Sequence, residues 1–135
     1  FAGGICLAKA FVSSGLSTLA GEALASLTAL PVYWMMLLIC LVVTFMTEAT
    51  SNTATTALLM PILASAAVAA GLEPALLMVP AALSASCAFM LPVATAPNAV
   101  VFGTGYIKTT AMASEGFVLN LIGALLISVL MWVSL

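Results

Sequence analysis

The sequence predicts an all-α membrane protein. Three observations carry that prediction. Of 135 residues, 65% are hydrophobic and 4% are charged, and the mean hydropathy is +1.36. A soluble domain carries about 25% charged residues, and two lysines, four glutamates and no arginine cannot cover a globule with a wetted surface. The apolar residues also fall in long runs that do not alternate with polar ones. That excludes a membrane barrel and leaves helices, which satisfy their own backbone groups in lipid.

Composition removes several function classes. A net charge of −2 without a basic cluster offers nothing to nucleic acid. Histidine is absent, which excludes histidine acid–base catalysis and histidine metal sites. Cys6, Cys40 and Cys87 are odd in number and far apart in apolar sequence, the pattern of buried free thiols rather than of a disulfide framework or a zinc site. No side chain set is arranged to make or break bonds, so an enzyme is not expected. The chain opens in apolar sequence at Phe1 and stops in an apolar run at Leu135. The expectation is a piece of a longer membrane protein, without a signal peptide because no basic region precedes the first apolar stretch.

The elements follow in order. Residues 1–12 read as the end of a membrane helix, broken at Ser13-Ser-Gly15. Residues 14–30 set Leu16, Leu19, Leu24 and Leu27 near one face, as in a helix lying at the membrane surface; a connector between spans is the other reading. Residues 31–71 form two apolar arms around the polar stretch EATSNTATT, with Tyr33 and Trp34 suited to an interface and Pro61 inside the second arm. Each arm reaches across the ~30 Å hydrocarbon layer at about 1.5 Å per residue. Length alone therefore leaves open a full crossing or a hairpin that dips in and returns. Residues 74–107 read as a helix running to about Val93, a break at Ala94-Thr-Ala-Pro-Asn98, and a short apolar continuation. Residues 116–135 are a final membrane helix whose one strongly polar member, Asn120, suits a helix–helix hydrogen bond. Two lysines are too few to fix orientation by the positive-inside rule.

The two polar breaks carry the chemistry. Thr44, Thr47, Glu48 and Ser51 stand at i, i+3, i+4 and i+7, one stripe at the end of the first arm. Ser51, Asn52 and Thr53 are N-cap residue types for the next helix. One helix end thus exposes carbonyls and the next exposes N–H groups, attracting a cation and an anion respectively. The second break repeats this: a helix ends near Ala94, Pro97 suits the first position of a new one, and Thr95 and Asn98 add a hydroxyl and an amide. Broken helices at membrane depth survive where they line a cavity, and in transporters they surround midplane sites. Against this stand a wet surface loop for the first break and a proline-kinked helix for the second. A carboxylate such as Glu48 becomes a functional candidate only where it is buried.

Taken together, TEATSNTATTALLMPIL and ALSASCAFMLPVATAPNAVVFGTGY resemble the divalent-anion/sodium symporter family, the sodium-coupled di- and tricarboxylate transporters. The resemblance begins at GGICLAKAFVSSGLS and runs to the last span. It implies the second of two inverted repeats, with Ser51-Asn52-Thr53 at the tip of a re-entrant hairpin. Thr95-Ala96-Pro97-Asn98 stands where the family has Thr-Pro-Pro-Asn. Alanine there restores a backbone N–H and loosens φ, which bears on substrate preference.

The resemblance further implies roles. Asn52 and Thr53 contact a substrate carboxylate, Ser51 shapes the tip, and Thr95 and Ala96 border the same pocket, supported by Pro97 and Asn98. Sodium takes oxygens from Thr47, Thr50, Asn52 and Ala94, and a second sodium belongs to the missing first repeat. The implied function is sodium-coupled transport of small divalent anions, C4-dicarboxylates such as succinate first, with citrate or sulfate as the alternative. The implied setting is a plasma or bacterial inner membrane, in a homodimer when intact. A non-transporting assembly segment and a channel are the rival classes.

Overall fold

The computed structural model describes residues 31–134 and, before them, residues 6, 9, 10, 12–16, 18, 19 and 22. The expected membrane-helix end at 1–12 and the surface helix at 14–30 fall largely outside the described residues. Ser14 and Gly15 do form the expected turn, with Gly15 at φ +77°. Five helices follow: α1 Val32–Ala49, α2 Asn52–Ala69, α3 Ala75–Ser84, α4 Ala96–Gly103 and α5 Thr109–Val133. No strand occurs among the described residues. Three of these helices, α1, α2 and α5, are long and apolar enough to cross a membrane.

Each boundary has a local cause. Pro31 supplies the carbonyl that accepts from the Trp34 N–H at 2.9 Å and opens α1. After α2, Gly71 takes φ +69°, where a side chain is disfavoured. The Gly71 N–H then donates to Val68 O at 3.1 Å and the Leu72 N–H to Ala67 O at 2.9 Å. This is the paired closure of a Schellman motif, and it turns Leu72 onto the core. Pro61 and Pro80 sit inside α2 and α3 without ending them.

The core joins α1, α2 and α3. Met35, Ile39 and Val43 from α1 meet Leu63 and Ala67 from α2 and Leu77 and Ala81 from α3, with Ala85 just beyond. On each helix these residues recur four apart, which stacks them on one face. α3 packs against both arms, α1 and α2, more extensively than the arms pack against each other. α5 lies antiparallel against α1: Tyr33 meets Trp132, whereas Phe45 and Glu48 meet Phe117 and Asn120 further back along α5. Tyr33, Trp34 and Trp132 form an aromatic cluster at one end of this pair, the arrangement found at a membrane–water interface.

Three expectations need correction. The final helix, expected over 116–135, begins at Thr109 and takes in the polar stretch 109–116. The helix expected to run to about Val93 ends at Ser84, so the backbone is non-helical from 85 to 95. Thr47 Oγ1 lies 2.9 Å from Ala85 O, which draws that carbonyl out of the helix ladder. Pro92 has no N–H to give to Ala88 O, so a continued helix would leave that carbonyl bare. The third correction concerns the thiols: all three cysteines are free, but Cys40 alone is buried, with Cys87 half-buried and Cys6 exposed.

Candidate functional site

The site is built where α1 ends. Thr50 and Ser51 are extended, with φ/ψ of −130°/166° and −69°/130°, and α2 starts at Asn52. Thr50 Oγ1 donates to Met46 O at 2.8 Å, closing one of the last carbonyls of α1, and lies 2.6 Å from Thr55 Oγ1. Ser51 holds the N-cap position of α2, but its side chain makes no capping bond. The N–H groups of the first turn of α2 therefore have no partner within the helix.

The second break is held by side chains from three helices. Glu48 is 5% exposed. Its Oε1 accepts from the N–H groups of Phe89 at 2.7 Å and Met90 at 2.8 Å, and its Oε2 from that of Leu91 at 3.0 Å. Asn120 Nδ2 donates to the same Oε1 at 2.7 Å. All these contacts are donors to it, as an ionised carboxylate requires. Asn98 Nδ2 meets the carbonyls on the other side of the same stretch, Ala88 O at 2.8 Å and Leu91 O at 3.1 Å. The N–H groups of Phe89, Met90 and Leu91 and the carbonyls of Ala88 and Leu91 are thereby satisfied, as buried backbone at membrane depth requires.

From this clamped stretch the chain passes through Pro92 to Thr95, which caps α4: Thr95 Oγ1 accepts from the Asn98 N–H at 3.3 Å. Ala96, not Pro97, is the first residue of α4. Pro97 has no N–H and that of Asn98 is engaged, so the Ala96 N–H is the free donor of the α4 first turn.

The two breaks face each other across one cavity of about 500 Å³. Glu48, Ala49, Thr50, Ser51, Asn52 and Thr53 line one wall, and Val93, Ala94, Thr95 and Ala96 the other. Thus the expected substrate residues Ser51, Asn52, Thr53, Thr95 and Ala96 share one space. Of the expected sodium residues, Thr50, Asn52 and Ala94 line it. Thr47 is fully buried behind it, with Oγ1 2.6 Å from Asn52 Oδ1 and 2.9 Å from Ala85 O. Its one hydroxyl proton serves two acceptors, so three oxygens converge there. Pro97 and Asn98 are outside the lining; Asn98 acts on the backbone behind it.

Sequence reasoning missed the clamp of Glu48 on residues 89–91 and the Ala85 carbonyl. Burial of the stripe residue Glu48 was the one signal available, and it is a property of the fold. Among the described residues no group of three or more His, Cys, Asp or Glu side chains could hold a metal ion. A cation here would rest on neutral oxygens, the ligands hard cations take.

The fold and cavity define a helical membrane protein with two facing helix breaks. The chain belongs to the sodium:sulfate symporter family, whose transmembrane region matches residues 1–135. It is 50% identical over 127 residues to the sodium-dependent dicarboxylate transporter SdcS of Staphylococcus saprophyticus, covering 94% of this chain and 24% of that protein. It is 48% identical over 127 residues to SdcS of Staphylococcus aureus, strain USA300, with the same coverage. The chain thus spans about a quarter of the length of the relatives it matches. These relatives are transporters, not enzymes.

Proposed function

We propose that this chain is the second-repeat portion of a sodium-coupled symporter for small dicarboxylates, succinate foremost, and that the cavity between the breaks is its half of the transport site. The observation that carries this reading is the shared cavity itself. Two helix N-termini open onto the same space, the first turn of α2 without a side-chain cap and α4 with the Ala96 N–H, beside the amide and hydroxyls of Asn52, Thr53 and Thr95. Helix N-termini favour anions through their aligned peptide dipoles and free N–H groups.

The charge of the wall supports coupling to a cation. Glu48 is a wall residue, and no lysine or arginine is among the lining residues. A dianion entering alone meets a like charge and only partial positive charges. Sodium bound by Thr47 Oγ1, Asn52 Oδ1 and the carbonyls of Thr50 and Ala94 offsets that repulsion. Thr47 Oγ1 only donates and keeps its lone pairs for a cation, whereas Thr50 Oγ1 gives its proton to Met46 O and accepts from Thr55, so the Thr50 contribution is its carbonyl. Each solute then raises the affinity for the other, as linkage requires. A fixed arginine would bind the anion whether or not sodium was present.

Depth supports a re-entrant hairpin. Glu48 is bonded to Asn120, the middle of the 25-residue α5. At about 1.5 Å per residue α5 is roughly 37 Å long, enough to span the layer, and its middle lies near the membrane centre. The tip of the α1–α2 hairpin then stops at that depth, and α2 returns to the side of the aromatic cluster.

The test uses the intact transporter in proteoliposomes. Asn52→Ala should reduce sodium-dependent succinate uptake to below about a tenth of the parent while the amount of folded protein in the membrane is unchanged, a loss of more than ~1.4 kcal/mol at the site. Uptake at the parental level would remove the assignment. Competition by citrate and by sulfate separates the dianions.

A further inference from the structure

We infer that Gly116 and Asn120 of the last helix are positioning residues for the transport site, acting through the backbone of residues 88–91. This inference rests on the transport reading above. Neither residue lines the cavity. Both are buried on one face of α5, one turn apart.

Gly116 is where α5 touches the break backbone to backbone. A Cβ built at this glycine would stand 2.6 Å from Met90 Cα and inside contact distance of the Phe89 carbonyl. No side chain end is available to yield; the opposing atoms are main chain. Gly123, two turns along the same helix, is different: its Cβ would meet only the Cys87 side chain, at 3.5 Å from Sγ, an ordinary contact. The requirement for glycine is therefore specific to the level of Phe89 and Met90.

Asn120 completes the seat. Its Nδ2 donates to Glu48 Oε1, the oxygen that also accepts from the Phe89 and Met90 N–H groups. It fixes the carboxylate that fixes the loop. Residues 88–91 are thus gripped by Glu48, Asn98 and α5 at once, and three residues later the chain supplies Ala94 and Thr95 to the cavity wall. A displacement of Met90 by the size of a methyl group is carried into the carbonyl of Ala94 and the N-terminus of α4. Such a shift changes sodium and substrate affinity, because both ligand sets draw on that wall.

The experiment compares Gly116→Ala, Asn120→Ala and Gly123→Ala in the intact transporter, reconstituted and normalised to folded protein. Succinate KM and the sodium concentration for half-maximal uptake are both measured. Gly116→Ala and Asn120→Ala should each raise both quantities at least fivefold, whereas Gly123→Ala should stay within twofold of the parent. A purely structural role would lower the amount of folded transporter without moving either midpoint. Should Gly116→Ala not accumulate in the membrane, Asn120→Ala, which removes the donor and adds no bulk, decides. Unmoved midpoints in the folded variants would overturn the positioning role. Parental uptake indifferent to sodium would instead overturn the transport reading, so the two failures are distinguishable.

Discussion

Glu48 shows how one side chain decides local structure. It sits 41 to 43 positions before the three N–H groups it accepts from, and it replaces the carbonyls a continuous helix would have supplied. Glu48→Gln keeps the size but turns one acceptor into a donor facing donors, leaving at least one buried N–H unsatisfied. A loss of about 1–3 kcal/mol in stability is expected, read as a lowered unfolding midpoint in detergent; an unchanged midpoint would show that the carboxylate is not what holds the break. Ser51, expected on one stripe with Thr44, Thr47 and Glu48, lies past the end of α1 at Ala49 in extended backbone. The buried stripe of Thr44, Thr47 and Glu48 was legible from spacing, and so was the bond-forming character of Asn120. Their pairing was not, because nothing in a single sequence specifies which distant backbone a carboxylate will meet. Gly116 was equally hidden: it reads as one more small residue before a span, and only the proximity of Met90 makes it irreplaceable.

Among the elements, the hairpin arms, the terminal helix and the existence of two breaks all follow from runs of apolar residues interrupted by Ser, Thr, Asn and Pro. The extent of the second break does not. Prolines mislead here, since Pro61 and Pro80 lie within helices while α3 stops at Ser84 with no proline beside it. Tertiary bonds from Thr47, Glu48 and Asn98 set that boundary. The end of α2, by contrast, is local. Gly71→Ala forces a side chain into the left-handed region at φ +69° and should destabilise the fold by about 1–2 kcal/mol. Succinate KM should be unaffected, because Gly71 closes α2 at the end remote from the cavity. A shift in KM without a shift in thermal stability would contradict this division between folding and transport.

At the scale of the whole molecule, a nearly uncharged chain encloses the proposed anion site in a cavity with no cationic side chain among its lining residues. The arms and α3 form the core, α5 braces the tip of α1 and the second break, and the cavity opens where two helices begin. Apolar faces of α5 around Leu119, Leu126 and Leu130 are exposed, as suits lipid or the remainder of the protein. The central claim is that paired helix ends bind a dianion only together with sodium. Val93, which is 81% exposed, and Ala49 line opposite walls of the cavity and carry no proposed ligand role. Val93→Cys and Ala49→Cys, placed in the intact transporter with its native cysteines replaced by alanine, report directly on that space. Modification of both by a small polar thiol reagent should be slowed by succinate when sodium is present and unaffected by succinate when it is absent. Equal protection without sodium, or none with it, would contradict the account.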